Sequence, residues 1–350
     1  MKGVVFSSFT NAYAILIGAK KLGVEIYTLD KSPAFPIPKT THFNQGDCLF
    51  FTEENSLRQA LCDEVDGRFY PASFSPTLLD DKYAFVEWLE LHTDLPSGLR
   101  QWTLGSIEEA TYPCLLKAKH SWVHGVKQPR GWVCRSINEL QNRINDIQKQ
   151  GFNLTDFFIQ EWLGDTDCRI ISVCGFHDSD NNNRNITATV ERIASHTKGL
   201  SCSAAVETIV DQWGLETQTT RTLNALCFSG PFELEFLVRG ECAAILELNP
   251  RFWMQHAIFL STGNGLIKRY LDMDTEHDRE IKRIPRILWI DGLHLVRSII
   301  MFRLGFVTFT LHRILFYEGK ILIWPSIPMA IQVWTRIFMR YFRYRGRGIP

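Results

Sequence analysis

Three oxygen-bearing side chains stand near the end of a predicted β-hairpin, where the sequence reads "FELEFLVRGECAAILELNPRFW". Glu235 belongs to the first strand, and Glu247 and Asn249 belong to the second. Side chains alternate between the two faces of a strand, so Glu247 and Asn249 point the same way. A turn centred near Glu241 sets Glu235 level with Glu247, and facing residues of an antiparallel pair share a side.

Oxygen ligands, two of them charged, suit Mg²⁺, which takes one or two carboxylates and completes its shell with water and phosphate. The hairpin therefore predicts a magnesium site formed by Glu235, Glu247 and Asn249, with Mn²⁺ as the alternative ion. An ordinary hairpin with a solvated polar face is the other interpretation. It explains less well why an apolar run leads up to the acids and why Pro250 ends the strand there.

The first part of the chain has the pattern of a small α/β unit that ends near residue 78. "GVVFSS" is typical of a strand, "NAYAILIGAKKLG" of a helix and "VEIYTLD" of a second strand, which predicts a βαβ unit and a parallel sheet. The GxGxxG motif of dinucleotide-binding domains is absent. A signal peptide is the alternative for the start of the chain, but Ser7, Ser8 and Asn11 interrupt its apolar run.

Helices and strands continue to alternate through the middle of the chain. "INELQNRINDIQKQG" predicts a helix and "FFIQEWLG" a strand that ends at Gly164. Two hairpins are predicted, one through "DCRIISVCGF" and "ITATVERI" and one through the acidic strands described above. The segment between them, residues 203–230, is predicted to be helical. The fold class is therefore α/β, with α+β organisation.

Four motifs, taken in order, resemble those of the ATP-grasp ligases: "DDKYAF", "PCLLK", "IQEWLG" and "FELEFL…LELNPRFW". In that family a Glu, a second Glu twelve residues later, and then Asn and Arg at two-residue steps form the end of the metal site. Glu235, Glu247, Asn249 and Arg251 match this spacing. Each motif is weak alone, and the four together are specific. The resemblance extends from residue 1 to about residue 275.

This resemblance implies an ATP-grasp fold with three parts. A small Rossmann-like α/β domain precedes the grasp and spans residues 1–78. The ATP-grasp domain spans residues 79–275, and its lid subdomain covers about 105–165. A basic, apolar, mainly helical extension follows at 276–350, where no family motif is found.

The resemblance also implies which residues bind ATP: Lys82, Lys117, Gln160, Glu161, Trp162, Leu163 and Asp167. Lys82 and Lys117 would contact the phosphates, because ammonium groups offset the charge of a polyphosphate. The backbone of the "QEWL" segment would meet the adenine base, and Asp167 would bind the ribose, with Asp165 as the rival position. A solvated Lys82 and a Trp162 that belongs to the core are the plain structural alternatives.

Two arginines are assigned catalytic roles by the same resemblance. Arg192 lies where the family often has a basic residue facing the γ-phosphate or an acyl phosphate, and a structural salt bridge is its alternative. Arg251 would hold the substrate or the negative charge that develops on it. Glu233 shares the metal face and is interpreted as a neighbour of the ligands. His256 is interpreted as a core residue.

The loop 119–131 occupies the place of the family's phosphate-covering lid. It carries Lys119, Lys127 and Arg130 where the family has a run of glycines, which leaves its contact with ATP open. Cys202 and Ser203 belong to no arrangement that is typical of a nucleophile.

The activity implied is that of an ATP-dependent carboxylate–amine ligase. Such an enzyme converts a carboxylate to an acyl phosphate, releases ADP, and lets an amine displace phosphate to form an amide or peptide bond. ATP and Mg²⁺ are the expected cofactors, and a small-molecule carboxylate and amine are the expected partners. The alternative is an ATP-binding module of the same fold without ligase turnover.

Composition sets further limits. The 350 residues carry no formal net charge, so nothing indicates a nucleic-acid partner. The nine cysteines form no CxxC pair, which argues against a zinc site or a disulfide framework and suits a reducing cytoplasm. No stretch of about 20 residues is free of charge, so no transmembrane helix is predicted.

The extension is locally basic, since twelve Lys and Arg residues stand against three acids from Glu280 onward. Arginines interrupt its apolar runs, and tryptophans lie among them, as expected of a helix at a membrane surface. A helical subdomain that packs on the enzyme core, with its arginines reaching solvent or an anionic substrate, is the favoured alternative.

Overall fold

The computed structural model describes most of the chain. The described residues are 2–6, 11–29, 46–63, 65–71, 75, 78, 81–92, 94–95, 98–123, 126–129, 131–164, 167–196, 203–280, 284–331 and 335. Helices and strands alternate along them, which confirms the predicted α/β class.

The amino-terminal part is a three-stranded parallel sheet with helices. Its elements are β1 (Lys2–Phe6), α1 (Asn11–Lys21), β2 (Glu25–Leu29), β3 (Asp47–Phe51) and α2 (Glu54–Cys62). The strand order is β2-β1-β3, and both pairings are parallel. The βαβ opening predicted from the apolar runs is therefore confirmed.

A four-stranded antiparallel sheet follows. Helix α3 (Lys82–Leu91) leads into it, and Asp81 caps that helix by accepting hydrogen bonds from the backbone NH groups of Tyr83 and Ala84. Its strands are β4 (Gln101–Trp102), β5 (Cys114–Ala118), β8 (Trp132–Cys134) and β9 (Phe157–Glu161), in the order β4-β9-β5-β8. The short hairpin β6 (Trp122–Val123) and β7 (Val126–Lys127) and the helix α4 (Ile137–Lys149) complete this part.

The largest sheet has seven strands in the order β14-β13-β10-β11-β12-β15-β16. Its first five strands in chain order are β10 (Arg169–His177), β11 (Ile186–Ser195), β12 (Ser203–Thr208), β13 (Gly230–Arg239) and β14 (Cys242–Asn249). The helices α5 (Leu215–Ala225), α6 (Gly265–Tyr270) and α7 (Glu276–Glu280) accompany it. Apolar clusters cover both faces, and one of them joins the sheet to α1 and β3 of the amino-terminal part.

The prediction that residues 203–230 are helical is wrong for its first part. Ser203–Thr208 forms β12, which lies between β11 and β15, and all six of its residues are buried. A short apolar run does not distinguish a buried strand from a buried helix, and pairing on both sides decides in favour of the strand. The rest of the segment contains the helix α5.

The extension contributes strands as well as helices. It contains β15 (Ile287–Asp291), α8 (Gly292–Ile300), α9 (Leu304–Phe316) and β16 (Lys320–Trp324). β15 pairs antiparallel with β12, and β16 pairs parallel with β15, so the extension widens the seven-stranded sheet. Gly292 is required where α8 crosses β16, because a Cβ there would lie 1.9 Å from the carbonyl oxygen of Pro325. Within the described residues, no helix is long and apolar enough to cross a bilayer.

Candidate active site

A β-bulge in the β13–β14 hairpin decides which way the acids face. The hairpin closes through Gly240 and Glu241, with Arg239 paired to Cys242. Regular pairing from that turn would set Glu235 opposite Leu246, but the register shifts after the Phe236–Ile245 pair. Leu246 is the extra residue, and Glu235 pairs with Glu247 as predicted from the sequence.

The bulge also separates acids from apolar core. Ile245 and Leu248 both pack in the cluster on one face of the sheet, although they are three residues apart. Without the bulge, Glu247 and Asn249 would share the face of Ile245 and enter that apolar cluster. With it, they lie beside Glu235 and Glu233 on the other face, and Asn249 Nδ2 donates to Glu233 Oε2 over 3.1 Å.

Two lysines from other parts of the fold meet Glu247. Lys117, on β5 of the four-stranded sheet, places Nζ 3.7 Å from Glu247 Oε2. Lys82, the first residue of α3, places Nζ 4.0 Å from the same oxygen. The two predicted phosphate-binding cations and a predicted metal ligand therefore face one cleft between the two sheets. The cleft is also lined by Glu54, Asp81, Phe85, Leu248 and Asn249.

The charged groups in the cleft shift one another's pKa values. Burial alone would raise the pKa of Glu247, but Lys117 and Lys82 outweigh it and lower that pKa to about 2. Burial lowers the pKa of Lys117, although Glu247 opposes the shift. Burial, followed by the charge of Glu235, raises the pKa of Glu233 to about 8. The acidic face therefore contains one strongly ionised carboxylate and one whose negative charge is poorly compensated.

Arg192 lies over the same acids. Its Nη2 donates to Glu235 Oε1 over 2.8 Å, and its Nε donates to Ser203 Oγ over 2.9 Å. Burial raises the pKa of Glu235, and Arg192 opposes this shift. Ser203, for which the sequence suggested no role, thus orients the guanidinium. Its neighbour Cys202 lies outside the described residues.

Arg251 is held by the amino-terminal part of the chain. Its Nη2 forms an ion pair with Glu54 Oε1 at the start of α2, and its Nη1 donates to the carbonyl oxygen of Phe252 over 2.9 Å. The Glu54 carboxylate raises the pKa of Arg251 against the opposing effect of burial. Glu54 was missed from the sequence, where an acid in the first turn of a helix is ordinary.

A histidine pair stands where the extension meets the sheet. His196 Nε2 lies 2.8 Å from Asp291 Oδ2 and its ring stacks on that of His294, with centroids 4.2 Å apart. Asp291 also caps α8 through the backbone NH groups of Leu293 and His294. His256, by contrast, is buried among Phe252 and Trp253, and burial lowers its pKa to about 4, which confirms a core position.

Comparisons with known proteins test the fold that brings these residues together. No protein-family model matches the sequence, and no curated protein matches it. Among solved structures, an ATP-grasp protein with a RimK domain from Sphaerobacter thermophilus superposes with a TM-score of 0.55 at 13% sequence identity, over 78% of this chain and 99% of that chain. The chain has the ATP-grasp fold.

Two enzymes superpose equally well. Carboxyaminoimidazole ribonucleotide synthase from Aspergillus clavatus, solved with ATP, gives a TM-score of 0.57 at 13% identity, over 78% of this chain and 77% of that one. The biotin carboxylase domain of 2-oxoglutarate carboxylase from Hydrogenobacter thermophilus, solved with MgADP and bicarbonate, gives 0.56 at 12% identity, over 78% and 69%. The ATP-grasp resemblance found in the sequence motifs is thereby confirmed as a resemblance of fold.

The predicted adenine hinge of the ATP-grasp fold comprises the last two residues of β9 and the two residues after it. Gln160 is buried and pairs in register with Gln101 of β4. The side chain of Glu161 binds Arg100, whose Nη2 lies 2.8 Å from its Oε1, and the backbone NH of Glu161 donates to the carbonyl oxygen of Arg100 over 2.8 Å, so both groups are engaged within the protein. Trp162 packs its ring against the Cα of Gly164. Leu163 is half-buried.

The ribose and lid assignments of the ATP-grasp interpretation remain predictions. Asp167 is exposed, and its rival Asp165 lies outside the described residues. Lys119 places Nζ 5.2 Å from the centre of the Tyr83 ring, which gives this lysine a structural partner. Lys127 belongs to β7, but its side chain and all of Arg130 lie outside the described part of the chain.

Metal binding has the right donors but an incomplete shell. Within the described ranges, no group of three or more His, Cys, Asp or Glu side chains is placed so that it could hold a metal ion. Glu235, Glu247 and Asn249 supply two carboxylates and one carboxamide, so water and phosphate oxygens would have to complete an octahedral shell. Burial, and after it the charge of Glu235, raises the pKa of the neighbouring Glu233.

Proposed function

We propose that the protein is an ATP-dependent carboxylate–amine ligase. It activates a carboxylate as an acyl phosphate, joins it to an amine through an amide or peptide bond, and releases ADP and phosphate in a reaction that depends on Mg²⁺. The observation that carries the proposal is the meeting of Lys117 and Lys82 with Glu247 in one cleft between two sheets.

The side chains of the cleft suit phosphoryl transfer to a carboxylate. This chemistry requires neutralisation of the phosphate charges, alignment of the reactants and exclusion of water, and it requires little covalent catalysis by the protein. Lys82 and Lys117 would neutralise the phosphates of ATP, and the backbone of Glu161 and Leu163 would hold the adenine. Arg192 would face the transferred phosphoryl group, and Arg251 would hold the carboxylate, because a guanidinium binds planar anions through two hydrogen bonds.

Glu235, Glu247 and Asn249 would hold the metal ion. Bound there, Mg²⁺ (or Mn²⁺) would offset the charge of the phosphate oxygens. The acids are engaged by protein cations, since Glu235 binds Arg192 and Glu247 binds the two lysines. When nucleotide and metal bind, the acids would therefore exchange the protein cations for the metal ion, and the protein cations would exchange the acids for phosphate groups.

The substrates that we propose are a small-molecule carboxylate and a small-molecule amine, in the cytoplasm. The formal net charge of zero supports a small-molecule rather than a nucleic-acid partner. An ATP-binding module without turnover is the second candidate, and the mutual neutralisation of acids and cations in the cleft is the feature that favours it.

Trapping of the acyl phosphate distinguishes the two candidates. The protein is incubated with ATP, Mg²⁺, hydroxylamine and pools of carboxylic acids, and the hydroxamate and ADP are measured. A ligase gives hydroxamate and ADP in equal amounts with at least one pool, and subdivision of that pool identifies the acid. Nucleotide binding without ADP release in any pool would support the inactive module, and Glu247→Gln provides the blank.

A further inference from the structure

An apolar surface on the extension is left uncovered. It comprises the turn between α8 and α9 and the outer side of α9, and we call it the extension face. Its members are Ile299, Ile300, Met301, Phe302, Leu304, Leu311, Leu315 and Phe316. Phe302 is 84% exposed and Leu315 is 75% exposed. In water-soluble proteins such large apolar side chains are usually buried.

Helix α9 has large apolar side chains on both sides, and Thr308 and His312 are exposed among those of the outer side. Its inner residues Phe306, Phe309 and Ile314 pack against the cluster formed by β12 and β15. Leu304, Leu311 and Leu315 follow one another at helical spacing on the outer side, and all three are exposed. A surface helix normally pairs one apolar side with one polar side, so the outer side of α9 indicates an apolar environment beyond the protein.

The rim of the extension face is cationic. Among the described residues 292–331, the sequence has four Lys and Arg residues against one acid, Glu318. Arg297 and Arg303 flank the α8–α9 turn and are exposed, and neither forms an ion pair among the described residues. Arg313 on α9 is 41% exposed and lies 3.6 Å from Glu207.

The positive charge of the rim discriminates between the possible occupants of this surface. A second copy would bring an equally cationic rim against the first. Residues 336–350 of the same chain contain five arginines and no acid, so they carry the same sign as the rim. An anionic lipid surface matches both the rim and the exposed large apolar side chains.

We propose that the extension face docks the protein on anionic membranes, with the turn 299–304 inserted at the lipid–water interface. Every residue from 299 to 305 is exposed, so the turn projects from the fold and can enter a bilayer without rearrangement. The contact is peripheral, because none of the described helices can cross a membrane. The active-site cleft uses none of these residues, and the proposal is independent of the ligase activity.

Vesicle flotation tests the proposal on the full-length protein. Vesicles of phosphatidylcholine alone are compared with equimolar phosphatidylcholine and phosphatidylglycerol, at low and high salt. We expect the protein to float with the anionic vesicles at low salt, with a partition coefficient at least about tenfold above that for neutral vesicles, and to be released by salt. A protein that stays in the soluble fraction with anionic vesicles at low salt overturns the proposal.

Matched variants locate the contact. The double substitution Ile300→Glu and Phe302→Glu should lower the partition coefficient at least about tenfold, equal to about 1.4 kcal/mol. Val210→Glu, at a side chain 88% exposed elsewhere on the surface, should leave it unchanged. Arg303→Glu should weaken flotation more than Arg239→Glu, which is also exposed.

Two results of these variants would contradict the proposal. Flotation of the double variant like that of the wild type would place the contact elsewhere. A dimer in sedimentation that the double substitution dissociates, without lipid binding by the wild type, would identify a second copy as the occupant. Unchanged nucleotide affinity and melting temperature of the variants would show that the fold is intact.

Discussion

Lys117 Nζ lies 3.7 Å from Glu247 Oε2, so a cation from the four-stranded sheet and an acid from the seven-stranded sheet form an ion pair across the cleft. Both side chains are largely shielded, at 15% and 23% exposure. A shielded pair in a cleft exchanges partners when a polyanion and a metal ion enter together, because each charge then gains a stronger counter-ion. The pair thus couples the two sheets to the ligands that the cleft is proposed to bind.

Substitution of Glu247 tests the metal assignment. Glu247→Gln removes one of the two carboxylates proposed to hold Mg²⁺ and should abolish Mg²⁺-dependent ATP turnover, because the amide binds the cation weakly. ADP release is measured over a range of Mg²⁺ concentrations, with melting temperature as the control for folding. Turnover within a few fold of the wild type would show that Glu247 is not a ligand.

The two lysines near the start of the lid should differ in their effect on ATP. Lys117→Met should weaken ATP binding by about 1.5–3 kcal/mol, the value of a charge-assisted contact, which is roughly ten- to a hundredfold in Kd. Lys119→Met should have little effect, since its ammonium group lies over the Tyr83 ring. Calorimetric titration with ATP compares the two variants. Equal and small losses would remove Lys117 from the phosphate site.

The acidic hairpin shows how much of the candidate site can be predicted from the sequence. Alternation along the strands and the estimated turn position predict that Glu235 faces Glu247, and the pairing confirms it. The bulge at Leu246 that produces this pairing is not predicted from the sequence. The two-residue turn sets a regular register, whereas the packing of both Ile245 and Leu248 in one apolar cluster requires an extra residue between them, and local pattern does not show which effect is stronger. Local pattern thus identified the ligand candidates, and tertiary packing set their direction.

Other features depend on contacts that no local pattern records. Glu54 binds Arg251 and Ser203 binds Arg192 across distant parts of the chain. The strand β12 was predicted to be helical because its short apolar run has no periodicity of its own, and only its neighbours β11 and β15 define it. The ATP-grasp motifs were informative because their order along the chain records the tertiary arrangement indirectly.

The ion pair between Glu54 and Arg251 should stabilise the contact between the amino-terminal part and the hairpin. Glu54→Gln leaves the Arg251 charge largely buried without its partner, and we expect the free energy of unfolding to fall by about 3 kcal/mol, as for other broken shielded pairs. Asp63→Asn, in the exposed residue that follows the same helix, is the matched control. Urea denaturation measures both. A loss no larger than that of the control would mean that Arg251 is held by other groups.

The carboxylate of Asp278 should make stability depend on pH at the acidic end. Burial opposes its ionisation, but Lys268 Nζ at 2.5 Å and the backbone NH and hydroxyl of Thr275 lower the pKa from 3.8 to about 2. A lowered pKa in the folded state stabilises the fold at every pH above the unfolded value and loses this effect as the pH falls toward 2. Asp278→Asn should therefore cost about 2 kcal/mol at pH 7, and about half of that at pH 3.

Urea denaturation of the wild type and of Asp278→Asn at pH 7, 5 and 3 measures this difference. The cost should be the same at pH 7 and 5, because the carboxylate is ionised in both states of the protein there, and it should shrink only at pH 3. Asp94→Asn, at an exposed position, should cost little at any of the three values. A cost for Asp278→Asn that does not change between pH 7 and pH 3 would show that the side chain stabilises the α6–α7 connection by shape and hydrogen bonding rather than by its charge.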